Sequence, residues 1–381
     1  MLAALCAAEF LGMTLWFSAT AAAPALITEF DLTSGQAAWL TMAVQAGFVG
    51  GTLLSALFNL PDVLNSRRLF ASGCLAGSIA NASVTLVDDP TTMVLLRVAT
   101  GAALAWVYPP GMKIAASWFE RNRGAALGLV VGALTVGSAF PHLLASLVVS
   151  VPWRALMLTA SGCAIVGGLI ILAVVRDGPY LSATAPFDPY AVGRVFANRP
   201  VRLATLGYLG HMWELYAMWT WIATFAAARL LSSNGSLVAF VAIASGAVGC
   251  VGAGFIADRF GKARVAAWAM IVSAVCSAVA GFAFVAAPWV FFVLAVIWGV
   301  AVVADSALFS ALVAEHSSRD YAGTALTVQL CAGFLLTMVT IRLIPMMASV
   351  VGWQWAFLLL VPGPALGTLV MSRLTRESGS T

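Results

Sequence analysis

Charge is what this chain has least of. Only 9% of its 381 residues are Asp, Glu, Lys or Arg, against about 25% in an ordinary soluble domain. With 62% hydrophobic residues the chain cannot clothe itself in a water-facing surface, which excludes a soluble globular enzyme. Lys and Arg number 19 against 15 Asp and Glu, a formal net charge of +4, too small an excess to point to nucleic acid as a partner. Paired cysteines are missing too. Cys6, Cys74, Cys163, Cys250, Cys276 and Cys331 all lie in apolar stretches without a C-x-x-C spacing, and read as small packing residues. There is no H-E-x-x-H or H-x-x-E-H spacing, no nucleotide loop and no nucleophile–base motif, so no catalytic site, metal or cofactor is expected. Met212 and Met218 are too few to argue for copper.

A basic leader is also missing, the first Lys or Arg being Arg67. The stretch from Met1 to Pro24 therefore reads as a first membrane helix rather than a signal peptide. What the chain does have is apolar runs. A bilayer-spanning helix needs about 20 apolar residues. Such runs fall at roughly 3–24, 36–58, 69–87, 91–112, 124–148, 153–175, 203–226, 237–257, 265–286, 289–313, 323–345 and 353–372, predicting an all-α integral membrane protein of twelve transmembrane helices. The one long connection, from Arg176 to Arg202, carries Pro179, Pro186, Pro189 and Pro200. It divides the chain into an N-terminal six-helix bundle over 1–176, a cytoplasmic linker over 177–202 and a C-terminal six-helix bundle over 203–381.

Basic residues in short loops stay on the cytoplasmic side. Arg67, Arg68, Arg121, Arg123, Arg259, Lys262, Arg264 and Arg319 share one side, whereas Arg154 and Arg229 lie on the other. Both termini are therefore expected inside, in a multi-pass protein of the plasma (inner) membrane; Asn234-Gly235-Ser236 is the one glycosylation-type triplet in an outer loop. The halves also repeat weakly: "WRALM" at Trp153 returns as "WQWAF" at Trp353, and "RGAAL" at Arg123 as "AGTAL" at Ala322. Two pseudo-symmetric six-helix bundles follow from this repeat.

After the eighth span the sequence reads G-F-I-A-D-R-F-G-K-A-R, from Gly254 to Arg264. This resembles the loop signature of the major facilitator superfamily, with Gly254, Asp258, Arg259, Gly261 and Lys262 in its positions. "ALFNLPDVLNSRR" after the second span resembles a degraded copy that keeps Asp62, Arg67 and Arg68, and Arg97 with Gly101 resembles the family's fourth-helix pattern. The resemblance implies the major facilitator fold, a monomer, a central cavity lined by helices 1, 4, 7 and 10, and a loop cluster that latches one state of the carrier. On elementary grounds Gly254 would let two helix ends approach closely, and Asp258 could bond backbone N–H groups and arginines. The glycines of the fifth and eighth spans, including Gly246 and Gly249, read as packing.

Ionisable side chains within spans are expensive and each needs a partner, a cavity or a function. In the seventh span His211 and Glu214 are three residues apart and share a helical face. Glu214 is the expected proton carrier and His211 its modulator. Arg97, Trp106, Tyr108, Trp213, Tyr216 and Met218 are the expected substrate-cavity residues, and Pro109-Pro110 is expected to kink the fourth span. Lys113 and Asp305 are expected to form a gate salt bridge between the halves. Glu9 is placed near the interface, and His142 and Arg342 are read as structural. The expected activity is secondary active transport by proton-coupled alternating access, with a small-molecule substrate and the proton as partners within a lipid bilayer. Arg97 and Lys113 favour symport of an organic or inorganic anion. The alternative is proton-driven efflux of lipophilic or cationic compounds, resting on Glu9, Glu214 and Asp305.

Overall fold

Within a bilayer no water is available to the backbone, so each apolar run must satisfy its own N–H and C=O groups, and the helix is the structure that does so. A computed structural model describes residues 1–119, 123–147, 152–180, 187–230, 235–318 and 320–378. Arg121, Arg319, Asn234 and Pro186 lie outside the described residues. The first half comprises α1 (Leu2–Met13), α2 (Ser18–Phe30), α3 (Ser34–Leu57), the short α4 (Leu60–Val63), α5 (Ser66–Ser83), α6 (Pro90–Leu104), α7 (Tyr108–Trp118), α8 (Arg123–Leu147) and α9 (Trp153–Ala173). After the short α10 (Val192–Ala197) the second half comprises α11 (Arg199–Leu230), α12 (Gly235–Phe260), α13 (Lys262–Val285), α14 (Pro288–Ala304), α15 (Ser306–His316), α16 (Ala322–Val351), α17 (Trp353–Ala356) and α18 (Pro362–Ser378). No strand occurs among the described residues.

Eleven segments among the described residues are long and apolar enough to cross a membrane, four of them containing two α-helices in line. The twelfth long helix is α11, at 32 residues; His211, Glu214 and its tyrosines and tryptophans keep it below the hydropathy of the rest. The chain is thus a twelve-helix membrane protein of two six-helix bundles. The expected linker is not featureless, because α10 packs on α16 and α11. Asp188 N donates to Thr324 Oγ1 and Asn198 Nδ2 to the His316 carbonyl, at 3.0 and 2.9 Å.

Three interruptions matter for the site. The fourth span is broken over Ala105–Val107 between α6 and α7. Pro109 and Pro110 cannot donate to the carbonyls four residues back, those of Ala105 and Trp106, and their rings crowd them. The tenth span is broken at the equivalent place of the second half, where Asp305 separates α14 from α15. The first span is broken over Thr14–Phe17 with no proline nearby.

Glycines set how closely the helices cross. A Cβ on Gly47 of α3 would stand 1.9 Å from the Val98 carbonyl oxygen, and one on Gly101 of α6 1.9 Å from that of Val44. Gly249 of α12 lies equally close to the Val300 carbonyl, 2.0 Å from its missing Cβ, as its reading as a packing residue requires. The halves meet along α8 with α12 and along α3 with α16. Gly47→Val should therefore cost about 1–3 kcal/mol by overpacking and lower the thermal unfolding midpoint of the detergent-solubilised protein. Gly50→Ala, which meets nothing within 4 Å, should leave that midpoint unchanged or raise it.

Candidate functional site

The broken first span creates the first polar site. Its carbonyls at Leu15 and Trp16 turn inward, and Arg97 reaches them from α6. Arg97 is completely buried. Its guanidinium donates to the carbonyls of Trp16 at 2.7 Å, Leu15 at 3.2 Å and Leu40 at 3.3 Å, and to Ser18 Oγ and Asn81 Oδ1 at 3.1 and 2.7 Å. Asn81 is in turn held by Ser161 Oγ and the Met157 carbonyl, both at 3.0 Å, so the break in the first span, α2, α3 and α5 converge on the guanidinium from α6, with α9 joined through Asn81. The expected cavity-facing Arg97 is thus corrected: every N–H group of the fork is committed inside the first bundle.

The second polar site lies in the other bundle and divides the expected His211–Glu214 pair. Glu214 points from α11 toward α13 and α14. It accepts from Ser273 Oγ and Trp298 Nε1, each at 2.7 Å, and from Ser277 Oγ. His211 points instead to the break in the tenth span, with Nδ1 2.8 Å from Asp305 Oδ1 and Nε2 2.9 Å from Ser306 Oγ. The Nδ1 contact is an ion-pair approach without hydrogen-bond alignment, since Asp305 Oδ1 accepts no hydrogen bond. All three ionisable groups are buried. Residues three apart on a helix do share a face, yet their side chains diverge here because each meets a different neighbouring helix.

Between the bundles stands a set of aromatic rings. Trp16, at the break in the first span, packs on Phe48, Phe334 and Tyr216 at centroid distances of 5.1, 5.5 and 5.6 Å. Phe17 meets Tyr216 at 6.2 Å and Trp219 at 6.0 Å. Thr337 Oγ1 donates to Gln45 Oε1 across the same boundary at 2.6 Å. The indole N–H groups of Trp16 and Trp219, and both ring nitrogens of His142, are buried without a partner. Tyr216 stands among these rings. Trp213 lies apart from them: its Nε1 donates to the Leu359 carbonyl at 2.9 Å, turning it toward the last span. Met218 is fully buried. Trp106 and Tyr108 are half-buried, Tyr108 opening α7 and Trp106 packing beside Gly73 of α5. Sequence reading missed Trp16, Phe17, Phe48, Trp219 and Phe334. A signal for the first two exists in hindsight, since bulky rings interrupt an otherwise alanine-rich span.

The expected Lys113–Asp305 gate is not formed, because Lys113 is paired within its own bundle. Its Nζ donates to the Pro61 carbonyl at 2.7 Å and forms an ion pair with Asp62. Arg67 donates to the carbonyls of Leu172 at 2.8 Å and Ile171 at 3.5 Å, capping the end of α9. Arg68 N and Arg67 N are held by Asn65 Oδ1. In the second half the loop is tied with opposite polarity, Lys262 Nζ lying 2.5 Å from Glu315 Oε1 at the end of α15. Asp258 is exposed, and among the described residues it receives no hydrogen bond or ion pair; Arg259 lies over the Phe260 ring. The glycine the loop requires is Gly261, with φ +87°, whereas a Cβ on Gly254 would meet the Gly124 carbonyl at an ordinary 3.5 Å. The close approach expected of Gly254 is thus not what fixes that residue.

The family model of the Major Facilitator Superfamily matches residues 5–253 and 229–380. The chain belongs to this superfamily. Among curated relatives, the MFS-type transporter pytF of Aspergillus terreus is 26% identical over 221 residues, 56% of this chain and 73% of that protein. A protein of Escherichia coli named "Probable L-galactonate transporter" is 26% identical over 276 residues, 64% of this chain and 61% of that one. Two solved structures share the fold. A point mutant of the nucleoside transporter NupG gives a TM-score of 0.72 at 15% identity, over 98% of this chain and 99% of that one. A bacterial homolog of the human lysosomal transporter Spinster, inward-facing and unoccupied, gives 0.73 at 17% identity, over 98% of this chain and 97% of that one.

The ion pairs supply a direct check. Reversing both Asp62 and Lys113 should recover most of the stability lost on reversing either, with a coupling of about 0.5–3 kcal/mol in a double-mutant cycle. The same exchange between Lys113 and Asp305 should recover none.

Proposed function

We propose that this superfamily member is a proton-coupled secondary transporter whose solute is a flat, largely apolar and uncharged small molecule, carried by alternating movement of the two bundles. The observation that carries the solute class is the aromatic set between the bundles, together with the unpartnered indole N–H groups of Trp16 and Trp219. Rings supply stacking faces, and a buried N–H without a partner is a donor kept for an acceptor on something else. The cations that favour an anion are both spent, Arg97 on carbonyls and Lys113 on Asp62. For the proton, His211 and Asp305 form a buried imidazole–carboxylate contact at a helix break. An imidazole can take up and release a proton at a ring nitrogen, and a break is where a membrane helix can bend. Glu214, held by three donors, supports the His211–Asp305 element from the same helix. By the distribution of basic residues, the end of the bundle carrying Arg67 and Lys262 faces the cytoplasm of a plasma membrane.

A second reading, an organic anion, is favoured by the Escherichia coli relative named for L-galactonate. Proteoliposomes holding the purified protein, with internal pH recorded while nucleosides, phenolic compounds, small carboxylates and lipophilic cations are added outside, distinguish the two. A pH response to uncharged planar solutes is expected. A response confined to carboxylates would overturn the solute class, and no pH response to any accumulated solute would overturn proton coupling. Asp305→Asn, which removes the carboxylate facing His211, should reduce proton-driven accumulation about tenfold, the equivalent of about 1.4 kcal/mol, while solute exchange continues. Trp219→Phe, which keeps a ring and deletes the N–H, should weaken solute binding about three- to tenfold.

A further inference from the structure

We propose that Glu9 is a second proton-binding site, carried by the N-terminal bundle and separate from the His211–Asp305 pair. Its part in transport rests on the proton-coupled reading above; its existence as a site does not. Glu9 lies on α1, less than two turns before the break in the first span, and is completely buried. Neither carboxyl oxygen has a hydrogen-bond partner. The carboxyl lies over Gly111 of α7, where an added Cβ would stand 2.4 Å from Glu9 Oε2 and 3.3 Å from the Phe70 ring. Glycine at 111 therefore leaves the space that the carboxyl fills.

The titratable groups around it are Cys6 on the same helix, Cys74 on α5 and Tyr108 on α7, and none of them is a cation. Lys113, further along α7, is paired with Asp62, and Arg97 is committed to carbonyls. The other helices packed on α1 are α8 and α9. Among the described residues they bring no charge to Glu9, His142 of α8 lying against the Phe17 ring and Cys163 of α9 being half-exposed. A carboxylate removed from water needs donors or a counter-ion. This pocket offers neither, so it accommodates the neutral acid.

The other half of the argument is the break over Ala105–Val107. It joins α6 to α7, and such element-terminal residues absorb the backbone change when a helix swings. A swing of α7 carries Gly111 away from the carboxyl and opens it to water, where the anion is stable and the proton leaves. Uptake and release of a proton at Glu9 are thereby tied to the angle of the fourth span, just as those at Asp305 are tied to the tenth.

The test is infrared difference spectroscopy of the purified full chain in liposomes, comparing acid with alkaline buffer. The C=O band of a protonated carboxyl should be lost on going to alkaline buffer. One component of that band should be missing in Glu9→Gln, an isosteric change, and present in Glu214→Gln. Glu9→Asp, which draws the carboxyl back from Gly111, should keep the component at a shifted frequency. Identical spectra for Glu9→Gln and the unmodified chain would overturn the proposal. If the Glu9 component is present and solute movement carries no protons, the transport reading fails while the site stands. If protons move with solute and the component is absent, the site alone fails.

Discussion

The structure depends on how the chain deals with backbone groups that a bilayer will not solvate. A continuous helix solves the problem by itself, but a continuous helix cannot present a bend or a site. Where the first span breaks, the freed carbonyls of Leu15 and Trp16 are met by the Arg97 fork, and Ser18, Asn81 and Leu40 take up the remaining N–H groups. Thr14 Oγ1 also back-bonds to the Leu11 carbonyl and reaches the Ala160 carbonyl at 3.0 Å. An arginine in a membrane span is expensive on its own. Here it replaces the donors that the interrupted helix lacks, and the aromatic pair Trp16 and Phe17 is turned toward the opposite bundle as a result.

The two bundles have kept the architecture of a duplication and changed its chemistry. Each has a broken fourth helix, at Ala105–Val107 and at Asp305, but proline imposes the first break, while the second carries an acid facing His211. Each ties the loop after its second helix to the end of its fourth. The ionisable groups differ most: the first bundle spends its buried cation on backbone and leaves Glu9 without a donor, whereas the second surrounds Glu214 with three. Neutral aromatic surface then fills the boundary between them.

What the sequence made legible followed from local physics. Hydropathy located the spans, and the Pro109-Pro110 pair located the fourth-span break, because both effects act within a few residues. The seventh span is legible despite the polar face that lowers its apolarity, and that same polarity marks the helix with most of the second bundle's chemistry. The partners were not legible. His211 and Glu214 are neighbours in sequence, and the choice between pairing them and sending each to another helix is made by the placement of Ser273, Ser277, Trp298 and Asp305. Lys113 likewise chose Asp62 over Asp305, since the nearer loop folds back within its own bundle. The break in the first span gave no signal because the residues that stabilise it, Asn81 and Arg97, lie far along the chain.

The opposed polarity of the two loop ties limits what can be exchanged between the halves. In the first half the acid is on the loop and the base on the helix, and in the second the order is reversed. A crossover between the ancestral copies that exchanged only these loops would set Asp62 against Glu315 and Lys262 against Lys113, two like-charge contacts where there had been none. The two halves are therefore not interchangeable at these loops, because each helix end needs the opposite sign across from it.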